Sequence, residues 1–227
     1  MEYHLTQKPI RTFVRRQGRM TKAQREALHD LSTFYMMVDQ ENVLAFDRIF
    51  GNAQPVVLEI GFGMGDSLAQ MAEQHPKLNF IGIEVHRPGI GALLKKLHER
   101  KISNIKIIEG DAIEILKQQI QNHSLDQVQI FFPDPWQKKR HHKRRMIQKE
   151  FVELVAQKLK PGGKFLLATD WQTYAEHMME VLSACKTLKN TAGEGGYADL
   201  SFYRVKTKFE NRGEKLGHRI FELSFER

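Results

Sequence analysis

Cysteine is almost absent from this chain of 227 residues, in which Cys185 stands alone. One thiol closes no internal disulfide, and the lack of a disulfide framework fits a reducing compartment, so the cytoplasm is the expected setting. No apolar run approaches the ~20 residues that cross a bilayer. The opening stretch "MEYHLTQKPIRTFVRRQGRM" has no apolar h-region, so it does not read as a signal peptide. Acid is missing from residues 3–25, which hold Lys8, Arg11, Arg15, Arg16, Arg19, Lys22 and Arg25 and no Asp or Glu.

What is present is ordinary for a globular chain: 41% hydrophobic and 27% charged residues, enough for one domain with a sizeable core. The charge is distributed unevenly. Eight consecutive Lys, Arg or His side chains run from Lys138 to Arg145. The six Lys and Arg of that run and the seven of residues 3–25 carry +13 of a net +8, so the remainder is at −5. Two basic patches on an acidic body are the footprint of a nucleic-acid binder; a solvated tail and a solvated loop are the bland alternative. The organisation expected is a basic tail over 1–25, whose first ~20 residues are mobile without a partner, and a single domain over 26–227.

Short apolar runs alternate with helical spacing from residue 56. "VVLEI" (56–60), "NFIGIE" (79–84), "IKIIEGD" (105–111), "QVQIFF" (127–132) and "KFLLATD" (164–170) read as buried strands. Between them, "DSLAQMAEQH", "IGALLKKLHERK" (90–101), "AIEILKQQIQ" and "RMIQKEFVELVAQKLK" (145–160) read as helices, the last stopped by Pro161, Gly162 and Gly163. "WQTYAEHMMEVLSAC" is a further helix, and "IFELSFER" (220–227) a final strand that needs no crossover. The expected fold is α/β: a Rossmann-like, mostly parallel seven-stranded sheet with an antiparallel C-terminal strand and helices on both faces. The stretch 193–217 gives only loop signals.

Ligands of open α/β sheets bind at the carboxyl ends of the strands. Here those ends carry Glu59, Glu84, Asp111, Asp134 and Asp170. A single acid there is more often a cap or turn former; five in register are hard to explain that way. The turn after the first strand has Gly61, Gly63 and Gly65, then Asp66 where a dinucleotide fingerprint needs glycine. A carboxylate there competes with a pyrophosphate for the helix amides. A cationic nucleoside without phosphate, such as S-adenosylmethionine, suffers no such clash. Glu84 is placed to accept from its ribose hydroxyls and Asp111 from its adenine amino group.

Together "LEIGFGMG", "FPDPWQKKRHHKRR", "LATDW" and "TKFENRG…GH" resemble the bacterial tRNA (guanine-N7-)-methyltransferase family, from about residue 35 to the C-terminus. The second motif is specific; the first is shared by many methyltransferases. The resemblance implies a class I methyltransferase fold and transfer from S-adenosylmethionine to N7 of a guanosine in the tRNA variable loop. It implies cofactor contacts from Glu59, Glu84, Asp111 and Asp134, with Asp134 catalytic. Lys138, Asp170, Thr207, Lys208, Phe209 and Glu210 would meet the substrate, and Arg140, His141, His142, Lys143, Arg144 and Arg145 the RNA. Gln137 departs from the pattern, which usually has proline there. No metal is expected: His141 and His142 are adjacent, so they point apart, and no Cys or acid cluster completes a site. A monomer or weak homodimer is expected, with no membrane partner.

The residues agree with that chemistry. Guanine N7 has a free lone pair and needs no general base; alkylation leaves a cationic purine, so alignment and negative charge are what a site must supply. The prolines flanking Asp134 fix its backbone. Transfer to an exocyclic amine and a non-catalytic RNA-binding module remain alternatives. Trp136 and Trp171 read as sheet-edge packing sooner than as base stacking. Cys185, Phe202, Tyr203 and Phe209 read as core or flank.

Overall fold

The computed structural model describes residues 12–13, 18–37, 43–201, 204–205, 210 and 219–227. Five strands, β1 (Val56–Ile60), β2 (Asn79–Glu84), β3 (Ile105–Glu109), β4 (Leu125–Phe131) and β5 (Leu159–Thr169), run parallel. The last strand, β7 (Phe221–Glu226), pairs antiparallel with β5 and with the two-residue β6 (Lys189–Asn190). The sheet order is β3-β2-β1-β4-β5-β7-β6. All residues of β1 and β2 are buried, as continuous apolar runs in a parallel sheet require.

Helices α3 (Asp66–Gln74) and α4 (Arg87–Arg100) cover one face with α1 (Lys22–Tyr35), around Leu68, Phe80, Leu93 and Leu97. Helices α5 (Ala112–Gln118), α6 (Lys149–Lys158) and α7 (Gln172–Ser183) cover the other, around Leu58, Val128, Phe151, Phe165 and Tyr174, with the short α2 (Phe46–Phe50) beside them. Among the described residues no helix is long and apolar enough to cross a membrane.

Three local departures from the sequence reading have physical causes. Helix α1 begins at Lys22, within the stretch read as a tail, because Thr21 and Gln24 form a capping box. It packs so closely on α4 that a Cβ on Gly91 would lie 2.5 Å from the Gln24 carbonyl oxygen. Helix α6 ends at Lys158 rather than at the Pro161–Gly163 stop, because Leu159 is already extended and fully buried as the first residue of β5. Pro161, Gly162 and Gly163 form an irregularity inside that strand: Leu125 pairs with Leu159 but Gln127 with Lys164. At its other end α6 starts at Lys149, since residues 139–144 make a 3-10 turn and Arg145 is extended.

Candidate active site

The strand order reverses between β1 and β4, and the crevice there opens at the carboxyl edge. Gly61, Gly63 and Gly65 all have positive φ (77°, 57° and 70°), conformations that side chains rarely adopt. At Gly65 a Cβ would also meet Leu93 at 2.8 Å. Lys96 closes the turn from outside, donating to the Met64 carbonyl at 2.7 Å and facing Asp66 at 3.3 Å.

Glu84, the last residue of β2, holds this turn. Its Oε2 accepts from Gly63 N–H (2.8 Å), and its Oε1 from Val85 and His86 N–H (2.7 and 3.0 Å). A carboxylate offers about four lone-pair sites, so three are in use, and a second ribose hydroxyl bonds only by displacing one of them. Asp111 caps α5 through Ile113 N–H at 3.0 Å.

Glu59 lies one step deeper than the strand end, opposite Gly82 and 4% exposed. Gln129 Nε2 donates to its Oε2 at 2.6 Å. Burial pushes its carboxyl up to about 7, against the pull of that hydrogen bond and with a further push from the Glu84 charge. Folding therefore favours the protonated form. This contribution to stability is full below the unfolded value of 4.5 and is lost as pH rises to about 7. Glu59→Gln should remove that slope and stabilise the protein above neutrality by on the order of 3 kcal/mol. Denaturant titrations across pH measure it; equal slopes in parent and variant would absolve Glu59.

The loop after β4 carries Asp134. Phe132 and Trp136, on either side of it, have φ of 54° and 45°, and left-handed conformations cost a non-glycine residue roughly 1–2 kcal/mol. Surrounding contacts hold the strain. Phe132 N–H donates to the Ala168 carbonyl at 2.8 Å, extending the β4–β5 ladder into the loop. Arg144 lies 5.1 Å over the Trp136 ring, and His141 meets it edge-on at 5.9 Å. Arg145 Nε donates to the Pro135 carbonyl at 2.9 Å.

Three cavities meet at this loop, and Asp134 lines all of them. One, of about 240 Å³, runs past Gly61, Glu84 and Met146. A second, of about 580 Å³, is bounded by Glu84, Trp136, Lys138 and His141. The third, of about 860 Å³, lies towards Asp170, Trp171, Arg219 and Phe221. Thr12 and Phe13 enter the first of these, and Phe13 the second; Trp136 Nε1 donates to the Thr12 carbonyl at 3.4 Å. The sequence reading left Thr12 and Phe13 in the tail and gave Arg219 no role.

The basic run divides. Lys138, Lys139, Arg140, Lys143 and Arg144 are exposed, while His141 and His142 are half-buried. Desolvation, with Arg140, Arg144 and Lys138 beside it, holds His141 below its ordinary value. Arg145 is 2% exposed and turned inward.

Glu210 is buried against Arg204, whose Nη1 donates to its Oε2 at 2.5 Å. Arg204 also donates from Nε to Glu222 Oε1 at 2.7 Å and lies over the rings of Phe131 and Phe132. Glu210 lines a separate cavity with Gln70 and Glu222, not those of Asp134. Thr207, Lys208 and Phe209 lie outside the described residues, as do Phe202 and Tyr203.

A family model described as a putative methyltransferase matches residues 53–223. The tRNA (guanine-N(7)-)-methyltransferase of Hydrogenovibrio crunogenus is 52% identical over 218 residues, covering 96% of this chain and 91% of the relative. That of Yersinia enterocolitica is 51% identical over the same shares. Among solved structures, the 16S rRNA methyltransferase KamB superposes with a TM-score of 0.59 at 13% identity, over 80% of this chain and 91% of that one. TrmN from Thermus thermophilus gives 0.54 at 15%, over 80% and 46%. These likenesses identify the fold as that of methyltransferases. With about half of the residues shared along nearly the full length of such relatives, the chain belongs to the tRNA (guanine-N7-)-methyltransferase family.

Proposed function

We propose that this protein transfers a methyl group from S-adenosylmethionine to N7 of a guanosine in the variable loop of tRNA, by in-line attack without a general base. One observation carries the reading: Asp134 stands where the cavities on the Glu84 side and the Asp170 side meet. A group at that junction faces cofactor and base together.

The donor set fits the cofactor. The glycine turn is flanked by Asp66 and Glu84, which repel phosphate and suit a cation bearing hydroxyl and amino donors. When bound, S-adenosylmethionine supplies an activated methyl group on a sulfonium. Glu84 and Asp111 would hold its nucleoside, and Gly61, Gly63 and Gly65 would let the backbone approach the amino-acid end. Glu59, already pushed up to about 7, gains a proton-donating partner in the ammonium group. Asp170 and Lys138 position the base. Glu210, fixed by Arg204, lies in a separate cavity and is given no part in holding the base. Asp134 places fixed negative charge beside the purine as it becomes cationic. The guanine lone pair attacks directly, so no side chain takes a proton.

The test is incubation with labelled S-adenosylmethionine and unmodified tRNA, followed by nuclease digestion. Label on guanine N7 within the variable loop is the expected result. Label on an exocyclic nitrogen would overturn the reading in favour of amine transfer, and absence of cofactor binding in calorimetry would leave an RNA-binding module.

A further inference from the structure

Arg145 ends a run of cations that face solvent, yet its own side chain is inside the protein. The cause is local. The 3-10 turn over Lys139–Arg144 closes with Arg145 N–H donating to the His142 carbonyl, and Arg145 then turns extended at φ −59° and ψ 135°. Arg145 and Ile147 are both buried, while Met146, at the bend between them, is half-buried.

Two contacts define where the guanidinium sits. Its carbon lies 4.7 Å over the Tyr174 ring. Its Nε donates to the carbonyl of Pro135, the residue after Asp134. Tyr174 is itself fixed, its hydroxyl accepting from Ile147 N–H at 3.3 Å in the fully buried layer under α7. No acidic group lies within salt-bridge distance of Arg145 among the described residues. A planar cation that stacks on an aromatic face and donates sideways is a task for arginine; lysine keeps the charge but has neither the plane nor the Nε–H.

We propose that Arg145 is a positioning residue: it ties the strained Phe132–Trp136 loop to Tyr174 and so sets Asp134 at the transfer point, and it makes no phosphate contact. Both left-handed residues of the loop need an external hold, and the Pro135 carbonyl lies between Asp134 and the second of them. The role rests on Asp134 acting in methyl transfer. The loop measurement below does not depend on that, so failure of one reading is distinguishable from failure of the other.

Two substitutions separate the possibilities. Arg145→Lys retains the charge that a phosphate contact needs. Arg145→Met removes a buried cation that lacks a carboxylate partner, a change folded proteins tolerate. Salt titrations of tRNA binding should give both variants the slope of the parent, whereas loss of a phosphate contact by Arg145→Met would lower it by ~0.7–0.9. Single-turnover transfer, with tRNA and cofactor saturating, should fall roughly 10- to 100-fold in both. The chain has two tryptophans, so a Trp171→Phe background leaves Trp136 as the sole indole reporter. In that background, with no ligand present, acrylamide quenching of Trp136 should rise in both variants.

A parent-like rate in Arg145→Lys with a lowered slope in Arg145→Met would make Arg145 a phosphate contact after all. Unchanged quenching would show that the loop is not held from this side. Loss of the folded state in both variants, by circular dichroism, would mean that Arg145 supports the fold at large and would equally overturn the proposal. Raised quenching with unimpaired transfer would leave the clamp standing and remove Asp134 from the mechanism.

Discussion

Asp134→Asn should fold and bind tRNA as the parent does and transfer methyl ~10²–10³ times more slowly. The substitution preserves size and one acceptor oxygen and removes the charge. Positive charge moves from sulfonium to purine during the step, so a fixed carboxylate between the two stabilises the transition state more than either end. The loop's geometry survives the change, because its contacts engage Phe132, Pro135 and Trp136 rather than the Asp134 side chain. Single-turnover rates at saturating substrates should be level through neutral pH in the parent, since N7 carries no proton to remove. Near-normal chemistry in the Asn variant would exclude Asp134, and a rate rising through neutrality with one titrating base would end the base-free scheme. On the proposed cofactor role of Glu59, its titration near pH 7 should appear in the KM for the cofactor and not in the saturated rate.

Lys139, Arg140 and Lys143 changed together to glutamine should cost on the order of 10² in tRNA affinity at physiological salt and flatten the log–log salt slope by about 2 to 3. All three are exposed on the turn that follows the Asp134 loop. Lys138 and Arg144 are left in place, the first because it borders an Asp134 cavity, the second because it packs on Trp136. Cofactor affinity, measured by calorimetry without RNA, should not move. An unchanged slope would reduce the run to a solvated surface.

The sheet was legible because its strands are buried on both faces. Continuous runs such as "VVLEI" and "NFIGIE" have no other soluble use, and each is followed by glycine or acid where a ligand site begins. The ends of α6 were not legible. Pro161, Gly162 and Gly163 read locally as a stop, but the burial of Leu159 had already turned the chain into a strand. For α1 a signal was present in Thr21 and Gln24, masked by the basic character of the residues around it. Arg145 shows a different limit. Its neighbours in sequence are cations, and composition cannot tell which member of such a run faces inward. The Arg204 pairs with Glu210 and Glu222, six and 18 residues on, follow no helix or strand period that spacing would reveal.

The bond from Phe132 N–H to the Ala168 carbonyl has a consequence for how the site opens. It makes the first residue of the loop part of the β4–β5 ladder, between two strands deep in the sheet. Such ladders open with the whole domain, on the slowest hydrogen-exchange timescale, whereas peripheral segments open locally and often. The floor of the cleft is thereby joined to the most protected cooperative unit of the protein.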